Sequence, residues 1–199
     1  MEIIMKKHLC VLLILLMVVN FPACSRQLNN TRTAQENASR VIYAVFTCPN
    51  EELLPASLIS NELISDNTPP PDAEEVQAKK QELTDRWEAE VGDCFSPQDF
   101  QSFINNSLQV DYLSFAYFYN LEITVVKIDA AVENSGIQDY TVTLKVESDA
   151  FEPVECQVQC KFIYNAKEQT LIRSMNVTDN DEFMDIIYIN AELRPLLLD

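Results

Sequence analysis

The spacing of apolar residues changes period at Leu121, and no other feature narrows the fold as much. Before this point apolar side chains recur every three or four residues, as a helix with one buried face requires; after it they alternate every second residue, as a half-buried strand requires. In the first half, Thr33-Ala34-Gln35-Glu36 has the capping-box spacing, and Ala38, Val41, Ile42, Val45 and Phe46 follow at helical intervals until Cys48-Pro49 stops the run. Asn50-Glu51-Glu52 is placed to cap a second, shorter helix running through Leu54 toward Ile64. Residues 65–72 carry three consecutive prolines and form a stiff connector. Asp72 with Glu75 then starts a third helix with Val76, Leu83, Trp87 and Val91 on one face, Trp87 being its core anchor. Ser96-Pro97-Gln98-Asp99 repeats the start signal, and Phe100, Phe103, Ile104 and Leu108 follow at the helical spacing.

In the second half, Leu121, Ile123 and Val125 share one parity, and Val126, Ile128, Ala130 and Val132 take the other. A parity switch inside one strand is the mark of a β-bulge. After a turn at Glu133-Asn134-Ser135-Gly136, Tyr140, Val142, Leu144 and Val146 alternate with polar residues. A third strand places Val154, Cys156, Val158, Cys160, Phe162 and Tyr164 on one face, and a fourth runs from Leu171 to Val177. Short connections predict an antiparallel meander with one packed face. The fold class expected is therefore α+β: N-terminal helices packed on a bent four-stranded antiparallel sheet.

The first residues have a different character. Lys6 and Lys7 precede eleven uninterrupted apolar residues, Leu9 to Val19, and small residues follow at Ala23-Cys24-Ser25, the pattern of a secretory signal peptide. As a helix, eleven residues rise about 16 Å, short of the roughly 30 Å needed to span a bilayer. Phe21-Pro22-Ala23-Cys24-Ser25 resembles a bacterial lipobox, in which the cysteine becomes the mature first residue and carries a diacylglycerol. The resemblance implies a lipoprotein signal peptide over 1–23, lipidation at Cys24, labelling by palmitate and anchorage at the extracytoplasmic side of the cell membrane. Ordinary signal-peptidase cleavage after Ser25 is the alternative. Residues 24–32 are a polar tether and 33–199 a single domain, with a C-terminal tail from about residue 179. Removing residues 1–23 leaves 12 basic and 30 acidic residues, so the acidity belongs to the exported domain. Such a charge points away from nucleic acid, which demands a basic stripe.

The element order and the bulged strand make the domain similar to the nuclear-transport-factor-2-like superfamily, whose cone-shaped α+β fold curls a sheet around a pocket; a cystatin-like arrangement is the alternative. The resemblance spans roughly residues 33–178. It implies that an enzyme of this fold would place Asp, His or Tyr inside the pocket.

The chain's one histidine, His8, lies in the leader, which removes His-based nucleophile systems and His-ligated zinc from the exported domain. Two glycines, Gly92 and Gly136, exclude Gly-rich phosphate loops. The aromatic run Asp111 to Tyr119 has two readings. One is core packing through Phe115 and Phe118; the other is a pocket rim in which Tyr112, Tyr117 and Tyr119, with Tyr140 from the sheet, present hydroxyls to a ligand. Asp111 and one of these tyrosines are the acid/base candidates if the protein is an enzyme acting on a small apolar substrate.

Cys156 and Cys160 share a strand face but stand about 13 Å apart at ~3.3 Å per residue, too far for a disulfide. Cys48 and Cys94 each end a helix and are the candidate bridge in an exported protein. Asp179-Asn180-Asp181-Glu182 lacks the glycine of a calcium loop and reads as a solvated turn. From there Phe183 to Asp199 either docks on the domain or serves as a partner-binding strand. No metal and no cofactor are expected. The function expected is a non-catalytic binding or assembly module at the cell surface, its partner a protein or a small apolar ligand, with no catalytic residue assigned.

Overall fold

A computed structural model describes residues 32–58, 73–106, 108–132 and 134–193. The leader and nearly all of the tether, the distal part of the second expected helix, the proline connector and the last six residues lie outside the described residues. Helix α1, Ala34–Phe46, opens on the expected capping box: the Thr33 hydroxyl accepts from the Glu36 amide, and the Glu36 carboxylate accepts from the Thr33 amide at 2.6 Å. Its buried stripe is Ala38, Val41, Ile42, Val45 and Phe46. The Asn50 side chain accepts from the amides of Glu52 and Leu53, but the helix expected there is only a short turn at Ala56–Leu58 within the described residues.

Helix α2, Ala73–Val91, is buried at Trp87 and Val91, while Val76 on the same expected face is 47% exposed. Its first turns are held by local pairs such as Glu75–Lys79 rather than by a neighbouring apolar surface. Helix α3, Pro97–Asn105, has Ser96 as its cap, proline at its start, and Phe100, Phe103 and Ile104 buried. Helix α4, Leu108–Tyr119, leads through Asn120 into the sheet.

Four strands follow as a meander in sequence order: β1 Leu121–Ala130, β2 Ile137–Ser148, β3 Phe151–Tyr164 and β4 Ile172–Asp179, every neighbouring pair antiparallel. The protein is thus α+β. The register of β1 shifts between Val125 and Lys127, where the sequence changes parity. Gly136, with φ at 77°, closes the first hairpin in the left-handed region that suits glycine. The connectors after α1 and α2 are stitched to the two edge strands, through Cys48 opposite Ile123 on β1 and Phe95 beside Ile172 on β4.

The packed face is the expected one at Tyr140, Val142, Leu144, Val146, Cys156, Val158, Cys160 and Phe162, all buried. Two expectations fail at its margins. Beyond the bulge only Ile128 packs on the core, while Val126 is half-exposed and Val132 is almost fully exposed. Val154, at the other end, is also exposed. Helices cover the central strands and leave the distal half of β1 and the start of β3 open, and strand alternation by itself carries no information on how far that cover extends.

Of the two readings of the C-terminal segment, its described residues follow docking on the domain, as a helix and not as a strand. Residues Asp181–Leu193 form helix α5, which packs along β3 with Phe183, Ile186, Ile187 and Asn190 buried. β4 pairs with β3 only from Gln159 onward, so the earlier part of β3, paired with β2 on one side, has no strand on its other edge. Helix α5 takes that place: the Gln157 amide donates to the Glu182 carboxylate at 2.8 Å. At its far end the Asn190 amide donates to the Tyr119 carbonyl at 2.9 Å and its oxygen accepts from the Ser148 hydroxyl at 3.1 Å. Among the described residues the core side chains come from residues 38–187.

Candidate functional site

Local structure decides where the four tyrosines go. On α4, Tyr112 and Ala116 share the buried stripe, and Tyr117 falls on the opposite, exposed side. Tyr112 packs edge-on against Phe46 at 4.5 Å and beside Phe183 at 4.9 Å, and its hydroxyl accepts from the Asn180 amide at 3.2 Å. Burial pushes that hydroxyl's pKa up, and the Asn180 hydrogen bond only partly opposes the shift. Tyr119 is half-buried against Phe115. Tyr140 lies on the inner sheet face, fully buried, its hydroxyl 2.8 Å from that of Tyr164 and 2.7 Å from the Gln138 oxygen.

The expected rim of Tyr112, Tyr117, Tyr119 and Tyr140 is therefore not brought together around a cavity. Tyr112 and Tyr140 are core residues whose hydroxyls are satisfied within the protein, as buried phenols must be. Tyr164 completes a small buried hydroxyl cluster with Tyr140, and its presence on the inner parity was visible in the alternation of β3. Asp111 stands at the surface of α4, its carboxyl pushed above the usual range by partial burial.

The cysteines of the domain are four buried free thiols. The bridge expected between Cys48 and Cys94 is not formed, because the two side chains serve different neighbourhoods. Cys48 is tied by its backbone to Ile123 at 2.9 and 2.7 Å. Cys94 lies under Arg40, whose guanidinium reaches its sulfur at 3.4 Å. Desolvation raises the Cys94 pKa to about 11 against the opposing charge of Arg40, and raises both Cys156 and Cys160 to about 12. Thiols held protonated in this way are apolar packing elements rather than nucleophiles.

Described residues line two surface depressions that bear on function. A shallow one of about 530 Å³ lies on the outward side of α1 and is lined by Arg32, Thr33, Gln35, Glu36, Ser39, Arg40 and Tyr43. Its arginines are already committed. Arg32 and Arg40 hold the two oxygens of Asp93 at 2.6 and 2.7 Å, and Arg40 also donates to the Glu90 carbonyl. Burial works against the Asp93 charge, but these two guanidinium groups outweigh it and keep the carboxyl below the usual range.

The second depression, about 340 Å³, includes Glu122 and Glu147, directly opposite each other on β1 and β2, with Asp149 beside them. It is polar and open, unlike the desolvated cleft that separates the pKa values of an acid/base pair. Among the described residues there is no cluster of three His, Cys, Asp or Glu side chains able to hold a metal ion, and Asp181 and Glu182 open α5.

Compared with protein-family models, with curated proteins and with solved structures, the chain finds no match in any of the three.

Proposed function

We propose that this chain is a bacterial lipoprotein, anchored through Cys24 at the extracytoplasmic face of the membrane, whose exported domain is a non-catalytic binding or assembly module. Within the α+β class we assign it the cone-shaped, nuclear-transport-factor-2-like arrangement, on the grounds that helices precede a meander whose first strand is bulged. The observation that carries the functional reading is the fate of Tyr112 and Tyr140. Their hydroxyls are buried and bonded to Asn180, Gln138 and Tyr164, so the aromatic run contributes packing instead of a substrate-facing acid. Binding then falls to the outer surface.

Anchoring is tested by metabolic labelling with palmitate in a bacterial host. The wild-type chain takes up label and Cys24→Ala does not; equal labelling of the two refutes the anchor and leaves cleavage after Ser25 as the processing route.

A further inference from the structure

The strand edges of the sheet differ in how they are protected. The unpaired start of β3 carries Pro153, which has no amide to offer, and its Gln157 amide is taken by Glu182. β4 is bridged at Ile172 by Phe95 and has α3 packed against it. β1 is bridged at Ile123 by Cys48, and among the described residues nothing pairs with its outer edge from Thr124 onward. The Ala131 amide donates to the Asp139 carbonyl at 2.8 Å, which fixes the alternation of the pair: Lys127 and Asp129 turn their backbone groups to β2, while Ile128 and Ala130 turn theirs to the open side.

Residues 124–132 read Thr-Val-Val-Lys-Ile-Asp-Ala-Ala-Val, with one lysine, one aspartate and no net charge in a chain whose net charge is −17. Val126 and Val132 are exposed, and Lys127 and Asp129 share the outer face of the sheet, 2.8 Å apart. Two copies that overlap fully along this stretch run antiparallel about its middle residue, Ile128. That register sets Lys127 of each copy opposite Asp129 of the other and opposes no like charges. Centring the pair on Lys127 instead would oppose two lysines, and centring it on Asp129 would oppose two aspartates. The edge is therefore complementary to itself in one register, about Ile128.

From this arrangement we infer that β1 pairs antiparallel with β1 of a second copy of this chain, about a two-fold axis at Ile128, so that two four-stranded sheets become continuous. Ile128 and its copy exchange two N–H···O bonds, and Lys127 and Asp129 form cross-strand ion pairs on either side of them. The inference rests on the reading of the domain as a binding or assembly module and names a second copy as the partner.

The test uses the full chain, expressed in a bacterial host and sedimented in mild detergent. The wild-type chain is expected as a dimer. Lys127→Asp and Asp129→Lys each oppose like charges across the axis and are expected to weaken the dimer tenfold or more, while the two together restore opposite charges and are expected within twofold of wild type. Asp129→Lys is the sharper variant, because it lowers the net negative charge and would strengthen any diffuse association. Lys161→Asp, which makes the same charge change on the outer face of β3, is expected to stay within twofold. Position is read by mild oxidation. Ile128→Cys is expected to cross-link to its own copy, whereas the two copies of Val132→Cys stand about 26 Å apart in this register, at ~3.3 Å per residue, and are not. The thiols of Cys48, Cys94, Cys156 and Cys160 are buried and give no background.

A monomeric wild-type chain overturns the inference. So does a dimer that survives both single reversals, a double variant that stays dissociated, or equal cross-linking of Ile128→Cys and Val132→Cys. The charge variants are at exposed side chains, and an unchanged melting temperature verifies that each folds. If Ile128→Cys cross-links to a species of another mass, a different protein takes the edge, and the second copy is refuted while the reading of the domain as a binding module stands. Palmitate labelling at Cys24 is independent of all these outcomes, so failure of the strand pairing is distinguishable from failure of the anchor.

Discussion

Replacing Phe183 by alanine tests the placement of α5 more directly than any other change. The ring is fully buried and lies 4.9 Å from Tyr112 and 6.3 Å from Phe115, between α4 and α5. Truncation removes a benzyl group from a dry site and leaves a cavity walled by two helices. Transfer and cavity terms together cost about 3–5 kcal/mol for such a change, which already includes aromatic contacts worth about 1 kcal/mol each. We expect about 4 kcal/mol, read as a lowered urea midpoint with unchanged slope. For a domain of this size that corresponds to a fall in Tm of about 8–16 °C. The matched control is Tyr188→Ala on the opposite face of the same helix, expected within about 0.5 kcal/mol of wild type. If Phe183→Ala loses less than about 1 kcal/mol, or if the two variants lose the same amount, α5 does not seal the core and the packing argument fails.

Three further outcomes follow from the same geometry. Asn190→Ala leaves the Tyr119 carbonyl and the Ser148 hydroxyl without their buried partner and is expected to cost about 1–3 kcal/mol, with hydrogen exchange accelerated first in α5; uniform acceleration would refute a local role. Asp93 has a folded pKa below its unfolded value of about 3.9, so its contribution is present above that value and is lost as pH falls through the folded pKa; urea midpoints from pH 6 to 2 should fall less steeply for Asp93→Asn, and parallel curves would refute the coupling to Arg40 and Arg32. The thiols of Cys48, Cys94, Cys156 and Cys160 should resist a chromogenic disulfide reagent at pH 8 and react fully in denaturant, while mass spectrometry without reductant finds all four unoxidised; a species lighter by two hydrogens at Cys48 and Cys94 would restore the bridge.

Local patterning was enough for most of the elements. The Thr33 capping box, the Ser96-Pro97 start and the parity switch at Val125 and Val126 each describe an event within a few residues, and each is where the structure has it. The C-terminal helix was also legible in principle. Phe183, Ile186, Ile187 and Asn190 recur at offsets of three, four and seven, but the consecutive apolar residues Ile186 to Ile189 obscure that period and read equally as strand or tail. The exposure of Val154 was not legible, since it alternates with the buried residues of β3 and differs from them only in what lies above it.

The sequence by itself determined the period of each segment, its caps and breaks, and hence an α+β chain with helices before a bulged antiparallel meander. It also determined that residues 24–199 have no histidine and a strong excess of acid. Only the tertiary structure decided that Tyr112 and Tyr140 are satisfied core residues, that Cys48 and Cys94 are buried free thiols, and that α5 packs along the edge of β3 that β4 leaves unpaired. The physical reason is range. Helix and strand periods arise from backbone geometry over a few residues, whereas burial, hydroxyl pairing and the exposure of an apolar side chain depend on which distant segment packs above it.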